Sequence, residues 1–598
     1  MMNSKRFSWV LYPFLALSAT PVITNADVRD DDHLQASYPT MPFLLGNEQV
    51  AELSRHVLWR RLLLLSDDGK SNNKTQGLIE SGFFLSNTKN INPKNELIAM
   101  LSAIESRDEA VLCRFPARVH FLKDELKKYG VLLDVSDDDC ADFRAWASNI
   151  NAKSLSLVFA EEHGNNLAAA FAHTFMRIDS RDDDASGRFA TAMNYTVDIN
   201  RDDGVLSAAI KPLVGGYAGV MEILPYQHKA NDYLIKDERD LWEYRLDLTK
   251  VQIDQIMRHI WEVRHLVRPY YLTKDNCATE IVRLVDVVRA DKALFKRLGA
   301  ITTPAQVAQL LDDEHVITQT HYHPSNSTKR QFIINNGNAF DVANIKPNDN
   351  NPIMASPMRR FGVAISYDGH HGIAHHASFR MGYQGWLDNP AGVRKFHEII
   401  LPSFDIKYQD GILKLHDLIV FKATALNPAN TAKAYPDGKS HKKAPAIQAY
   451  LGVNEVSDAS DANNHQHTVL NAHMQKGRSW AIGKGRIQTG DMPDTVCYVL
   501  GGPSIQLGKL NQGYRAGVRT ALGCVHHHTD RLRIMGELVV PYWYHKDDVG
   551  RSAYVQPSLD VGVQYDFDRH HAVRFKGVVQ KNYGMTDHQA RLEWLEYF

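Results

Sequence analysis

The chain has 598 residues, of which 68 are Lys or Arg and 69 are Asp or Glu, so its formal charge is -1 at pH 7. Hydrophobic residues make up 44% and charged residues 23%, proportions that exclude a fibre and a wholly disordered chain. At roughly 150 residues per domain the length predicts several domains, and the balanced charge disfavours binding to nucleic acid.

The first 26 residues have the pattern of an export signal. Lys5-Arg6 precedes an apolar run from Phe7 to Ala19, and small residues occupy positions 24–26 before a predicted cleavage point. An anchoring N-terminal helix is the alternative, but Pro13 interrupts the apolar run. Since no later stretch offers about 18 uninterrupted apolar residues, integral membrane association would require a β-barrel.

Five cysteines in an exported chain leave one without a partner if the others pair. Cys113 and Cys140 are separated by 27 positions, and so are Cys497 and Cys524. Two local disulfides are therefore possible, the first being the stronger prediction. The remaining thiol, Cys277, is either buried and inert or employed in chemistry.

Residues 27–150 are predicted to form a helical domain. An apolar stripe with a spacing of three to four residues follows Asn47 and extends to Leu62. Pro93 starts a second helical pattern, at the first-turn position where proline costs least.

Residues 151–300 are predicted to form an α+β domain. Short apolar runs at 155–160, 168–178 and 190–197 are strand candidates, and two helical patterns follow, one capped by Thr249 and one beginning at Cys277. Residues 301–355 are rich in asparagine and proline, which predicts a linker or irregular cover.

Beyond residue 356 the apolar period becomes two, as in residues 361–367 and 559–565. At roughly 20 residues per strand and connection, residues 356–598 provide about 12 strands. The last strand carries Ala590, Leu592, Trp594 and the terminal Phe598 on one face, although Glu596 interrupts that face. This end resembles the closing strand of bacterial outer-membrane barrels. We therefore predict a C-terminal antiparallel transmembrane β-barrel, with a soluble β-domain as the alternative.

Cys277 stands at the start of a predicted helix, where the helix dipole and unpaired N–H groups favour a thiolate and can hold an oxyanion. His173, in an apolar strand-like run, is the candidate base. Asn194 is the candidate for orienting the imidazole, and Asp179 is a weaker one. The alternative is a small core cysteine and a buried, merely hydrogen-bonded histidine.

Four segments together resemble the Lnb-type N-terminal periplasmic domain family. They are 165–177, 215–219, 238–244 and the pair Asn276-Cys277, in the order of the family and across about residues 150–290. The family includes a bacterial lipoprotein N-acyltransferase. The resemblance implies a permuted papain-like fold in which His173 precedes Cys277, the nucleophile. The chain departs from the pattern at Ala172, where glycine is expected.

The segment from Cys113 to Arg118 also resembles a helical segment that accompanies this domain in barrel-bearing relatives. From the matching blocks and their surroundings we predict that Asn276, Tyr217 and Tyr195 contact the substrate.

These observations predict a thiol acyltransferase or hydrolase that is anchored in the outer membrane and faces the periplasm. It would act on a lipid ester or lipoprotein through a thioester, with phospholipid or lipoprotein as partner and without a cofactor. The paired histidines at 370–371, 375–376 and 526–528 lack metal-ligand spacing and are expected at loops or rims. There are two alternatives. The first is a papain-like cell-wall peptidase or amidase, and the second is a non-catalytic barrel with a binding domain.

Overall fold

The computed structural model describes residues 45–67, 82–86, 91–162, 172–182, 188–198, 211, 215–337, 341–348, 350–428, 445–459, 466–510, 513–545, 552–582 and 584–598. The predicted signal peptide lies outside these residues, as does the first part of the apolar run 168–178. Within the described ranges, no helix combines the length and apolarity needed to cross a bilayer.

The N-terminal region is helical, as predicted. Its helices are α1 (Asn47–Arg55), α2 (Val57–Leu62), α3 (Pro93–Glu105), α4 (Glu109–Arg114), α5 (Pro116–Lys128) and α6 (Ala141–Ile150). The first apolar stripe forms two helices rather than one, because the chain turns at His56, whose side chain accepts a hydrogen bond from the Leu58 N–H. The disulfide between Cys113 and Cys140 is present and joins α4 to the start of α6.

The central region is a seven-stranded sheet, which we call the sheet domain (residues 152–336). Its strands are β1 (Ala152–Ala160), β2 (His173–Ser180), β3 (Thr191–Asp198), β4 (Tyr217–Pro225), β5 (Leu241–Leu246), β6 (Arg268–Tyr270) and β7 (Ile317–His323). Their order across the sheet is β6-β4-β3-β2-β1-β5-β7, and neighbouring strands are antiparallel.

Helices cover both faces of this sheet. They are α7 (Tyr226–Asn231), α8 (Lys250–Val263), α9 (Cys277–Asp286), α10 (Pro304–Asp313) and α11 (Asn326–Asn336). On one face Leu157 and Met176 pack with apolar residues of α8 and α9, including Ile281. On the other face Phe175 packs with Tyr226 of α7. Thr249 caps α8 as predicted, by accepting a hydrogen bond from the Gln252 N–H.

The prediction of a linker at residues 301–355 is wrong for most of this segment. It contains α10, the edge strand β7 and α11, and β7 pairs with β5. The apolar residues Val307 and Leu311 of α10 are fully buried, so this helix is part of the core. Asparagine-rich composition hid these elements because several of the amides serve as buried hydrogen-bonding groups; the Asn335 amide, for example, donates to the Asp491 carbonyl at 3.0 Å.

The C-terminal region is a closed antiparallel barrel. Its strands are β8 (Arg360–Asp368), β9 (Gly372–Gly382), β10 (His397–Gln409), β11 (Ile412–Ala425), β12 (Ala446–Ser457), β13 (Gln466–Ile482), β14 (Thr495–Gly508), β15 (Tyr514–His527), β16 (Leu532–Tyr544), β17 (Ala553–Val555), β18 (Ser558–Asp566), β19 (His571–Lys581) and β20 (Thr586–Tyr597). Twelve of these are long, and the short β17 pairs with the end of β16 beyond β18. Pairing of β20 with β8 completes the ring, which confirms the predicted strand number.

The barrel exterior is apolar and its interior polar. On β20, Leu592 and Trp594 point outward and are 51% and 47% exposed. The interior holds hydrogen-bonded charged groups, such as Arg574, whose Nε donates to Gln564 at 2.7 Å. Exposed apolar strands around a polar lumen are characteristic of a barrel that faces lipid. The second possible disulfide, between Cys497 and Cys524, is also present and links β14 to β15.

Candidate active site

Cys277 is the first residue of α9, and Asn276 is its N-cap. The Asn276 side-chain oxygen accepts hydrogen bonds from the N–H groups of Ala278 and Thr279, at 3.0 and 3.2 Å. Its amide nitrogen donates to the carbonyls of Leu272 and Thr302. The cap therefore fixes the start of α9, and the positive end of the helix dipole lies at the thiol.

The surroundings of Cys277 favour its thiolate. Burial raises the pKa of this thiol, but the nearby His173 imidazole and a hydrogen bond from the Thr174 backbone outweigh that effect. Together they lower the pKa of Cys277 from its ordinary value of 9.0 to about 6. A cysteine with such a pKa is mostly ionised at neutral pH and is a ready nucleophile.

His173 is the first residue of β2, and a chain of hydrogen bonds orients its ring. Its Nε2 lies 2.6 Å from Oδ1 of Asn194, a fully buried residue of β3. The Asn194 amide nitrogen in turn donates to the carboxylate of Glu222 on β4 at 2.7 Å. Because Glu222 fixes which way the amide points, Asn194 accepts the Nε2 proton, and Nδ1 of His173 is the ring nitrogen that can accept a proton.

Three tyrosines interact electrostatically with the thiol. Tyr270, at the end of β6, hydrogen-bonds to Cys277, and burial followed by the charge of Cys277 raises the pKa of Tyr270. The Tyr233 ring lies 6.0 Å from the His173 ring. Tyr383 comes from the barrel, directly after β9; burial, then Glu162 and Cys277, raise its pKa. The raised pKa values keep the Tyr270 and Tyr383 phenols neutral beside the thiolate.

An ion cluster secures α9 against β6 behind this site. Glu280 of α9 pairs with Arg268 of β6 and with Arg283, which also pairs with Asp275. Burial raises the pKa of Glu280, but the two arginines outweigh burial and hold it below its ordinary value. The cluster keeps the helix bearing Cys277 in a fixed position relative to the sheet.

The structure brings Cys277, His173 and Asn194 together. Asp179, the weaker candidate, lies elsewhere, because its carboxylate bonds to Ser154 and Arg177.

The three predicted substrate contacts have scaffold positions. Asn276 uses its side chain to cap α9, and its contact with substrate stays a prediction. Tyr195 is buried and stacks on Tyr270 at 5.9 Å, and Tyr217 is the cross-strand neighbour of Tyr270.

Sequence reasoning missed Glu222, Tyr233, Tyr270 and Tyr383. Glu222 faces Asn194 across the β3–β4 ladder, so knowledge of that register would have found it. Among the described residues, no group of three or more His, Cys, Asp or Glu is arranged to hold a metal ion.

Comparison with known families divides the chain into three parts. Residues 142–313 match the Lnb N-terminal periplasmic domain. Residues 349–597 match one domain of unknown function, DUF7840, and residues 51–125 match another, DUF7843. No curated protein matches the chain.

Several solved outer-membrane proteins align with the barrel. OmpT of Vibrio cholerae with loop L8 deleted is 8% identical, with 40% of this chain and 97% of that chain covered and a TM-score of 0.21. The NanC porin is 9% identical, with 40% and 99% covered and a TM-score of 0.24. The KdgM porin is 9% identical, with the same coverage and a TM-score of 0.23.

The closed barrel and its apolar exterior define the class: an outer-membrane β-barrel protein with a domain outside the lipid. That domain is of the Lnb N-terminal periplasmic type.

Proposed function

We propose that this protein is a periplasmic thiol acyltransferase or hydrolase, anchored in the outer membrane, that acts on a lipid ester or lipoprotein. The observation that carries the proposal is the arrangement of Cys277 at the start of α9 with His173, Asn194 and Glu222. The order of the elements fits a permuted papain-like fold, because the strand that begins with His173 precedes the helix that bears Cys277.

In the proposed reaction Nδ1 of His173 accepts the Cys277 proton, and the thiolate attacks the carbonyl carbon of an ester. A carbon–sulfur bond forms, and the carbonyl oxygen gains the negative charge, which N–H groups at the start of α9 stabilise. The carbon–oxygen bond then breaks, and the departing alcohol takes the proton from His173. A thioester on Cys277 remains.

Resolution of the thioester decides between transfer and hydrolysis. An amine that attacks the carbonyl carbon gives an amide, whereas water gives a carboxylic acid; in both cases His173 accepts the proton of the nucleophile and Cys277 leaves as thiolate. A barrel fixed in lipid holds the site close to membrane esters, which raises their effective concentration. This placement favours lipid substrates over soluble peptides.

The test is intact-mass analysis of the purified full-length protein after incubation with vesicles of bacterial phospholipid or with a diacylated lipoprotein. We expect an added acyl mass that hydroxylamine removes and that is absent from Cys277→Ala and His173→Ala. His228→Ala, an exposed histidine of the same domain, is the matched control and should acylate normally.

Two other results would redirect the proposal. An adduct formed only with muropeptides would identify a cell-wall amide as the substrate class. If neither substrate forms an adduct and both Cys277→Ala and His173→Ala keep the biological function of the protein, the domain is a binding scaffold.

A further inference from the structure

The connection between β9 and β10, which we call the barrel loop (residues 383–396), enters the end of the barrel that faces the sheet domain. The ring of Trp386 lies 5.4 Å from that of Tyr498 on β14, and Nζ of Lys422 on β11 lies 5.6 Å from its centre. The carbonyl of Leu387 accepts a hydrogen bond from Nε of Arg533 on β16, at 3.0 Å.

Asp388 contacts four further barrel strands. Its carboxylate, which is fully buried, accepts hydrogen bonds from Arg574 on β19 and the Tyr597 hydroxyl on β20, each at 2.6 Å. It also pairs with Arg380 on β9 and lies 3.6 Å from Arg360 on β8. Three consecutive residues thus contact strands on several sides of the lumen, so the loop forms a plug.

The two ends of the same loop contact the sheet domain. Tyr383 is 3% exposed and belongs to the same apolar cluster as Ile281 of α9. Its φ of 64° lies in the left-handed region, which costs a non-glycine residue energy and is found where the surroundings enforce it. Near the other end, Nη1 of Arg394 lies 3.5 Å from the carbonyl oxygen of Glu162.

Cys277 is 4% exposed in this arrangement. An ester carbonyl needs a path to the sulfur, and the burial of Cys277 leaves little room for one. Tyr383, which the barrel supplies, is buried and interacts electrostatically with Cys277. The position of Tyr383 depends on the plug, because only two residues separate it from Trp386.

We propose that the barrel loop controls access to Cys277: Tyr383 is a positioning residue that covers the thiol, and Trp386 to Asp388 hold it there from inside the lumen. The consequence for acyl transfer rests on the proposed function, whereas the consequence for access does not. Movement of the plug would expose the thiol. A change in how the plug sits in the lumen would therefore change the reactivity of Cys277.

The experiment measures the rate at which 4,4′-dithiodipyridine labels Cys277 in the full chain, between pH 5 and 10. Tyr383→Ala removes the aromatic ring, and we expect its labelling rate to rise about tenfold, as local opening becomes easier. Tyr383→Phe keeps the ring and should stay within about twofold of the wild-type rate, since the barrier is steric. Tyr408→Ala, on the outer face of the barrel, is the matched control.

Two further measurements separate access from general damage. The midpoint of the pH profile should stay at about 6 in both Tyr383 variants, because His173 still faces the thiol; a disrupted domain would move the midpoint as well as the rate. Trp386→Ala, which loosens the plug without touching the thiol, should also label faster than the wild type. Tyr383→Leu replaces Tyr383→Ala if the alanine variant fails to form a heat-resistant barrel.

Equal labelling rates in Tyr383→Ala, Tyr408→Ala and the wild type would overturn the proposal. Faster labelling in Tyr383→Ala with no change in Trp386→Ala would overturn the role of the plug. If Tyr383→Ala and Trp386→Ala both label faster but no protein forms an acyl adduct, the barrel loop controls access to Cys277. That result would count only against the proposed acyl chemistry.

Discussion

Replacing the imidazole beside Cys277 should change the pH profile of the thiol in two opposite ways. In His173→Gln the main group that lowers the thiol pKa is gone while burial remains, so the pKa should return from about 6 to at least its ordinary 9.0. At pH 7 the thiolate fraction would then fall from about 90% to about 1%. A thiolate of higher pKa is intrinsically more nucleophilic, and three units correspond to roughly 15- to 30-fold.

These two effects set the expected rates of reaction with 4,4′-dithiodipyridine. Near pH 7 the variant should react about three- to sixfold more slowly than the wild type, because the loss of thiolate exceeds the gain in nucleophilicity. Near pH 10 it should react roughly 15- to 30-fold faster, because both thiols are then largely ionised. The profiles must therefore cross. A His173→Gln profile that coincides with the wild type, or stays below it throughout, would refute the assignment of His173 as the partner of the thiol; His228→Gln is the control.

Three more substitutions test other parts of the structure. Glu222→Leu should slow acylation of Cys277 by about tenfold or more because Asn194 loses the group that orients it, whereas Glu222→Gln, which can still accept the hydrogen bond, should retain most activity; equal rates in the two variants would contradict this. Leu592→Arg on the lipid face should lower the free energy of barrel unfolding in vesicles by about 2–4 kcal/mol, with little effect from Gln589→Arg on the other face. Replacing Cys113 and Cys140 by serine should cost about 2–4 kcal/mol in urea unfolding of the helical region, and an unchanged midpoint would show that this disulfide adds no stability.

The sequence predicted the features that depend on local pattern. Apolar and polar residues alternate with a period of two in the barrel strands, because each strand has one face toward lipid and one toward the lumen. This alternation identifies the strands. The cap at Thr249 and the helix start at Pro93 depend on residues within one helical turn and are visible in a short window of sequence. The cysteine pairs could be anticipated from their equal local spacing of 27 positions, and in the structure Cys497 and Cys524 lie opposite each other on adjacent strands.

Features that depend on the meeting of distant segments could not be predicted. Glu222 becomes a partner of Asn194 only through the register of β3 and β4. Tyr383 interacts electrostatically with Cys277 only because the barrel packs against the sheet domain. The segment 301–355 looked irregular because its asparagines bury amide groups in specific hydrogen bonds, such as that between Asn351 and the Tyr244 hydroxyl at 2.6 Å.

The contacts of Tyr383 and Arg394 with the sheet domain have a geometric consequence for any substrate. A domain on a flexible tether samples a volume around its anchor, but one seated against the rim of a barrel stays at a set height above the lipid surface. Under the proposed function the sulfur is held at one level, and an ester reacts only if its carbonyl can extend from the bilayer, or from a bound carrier, to that level. Substrates would thus be selected by how far they can extend from the lipid surface as well as by their chemical structure.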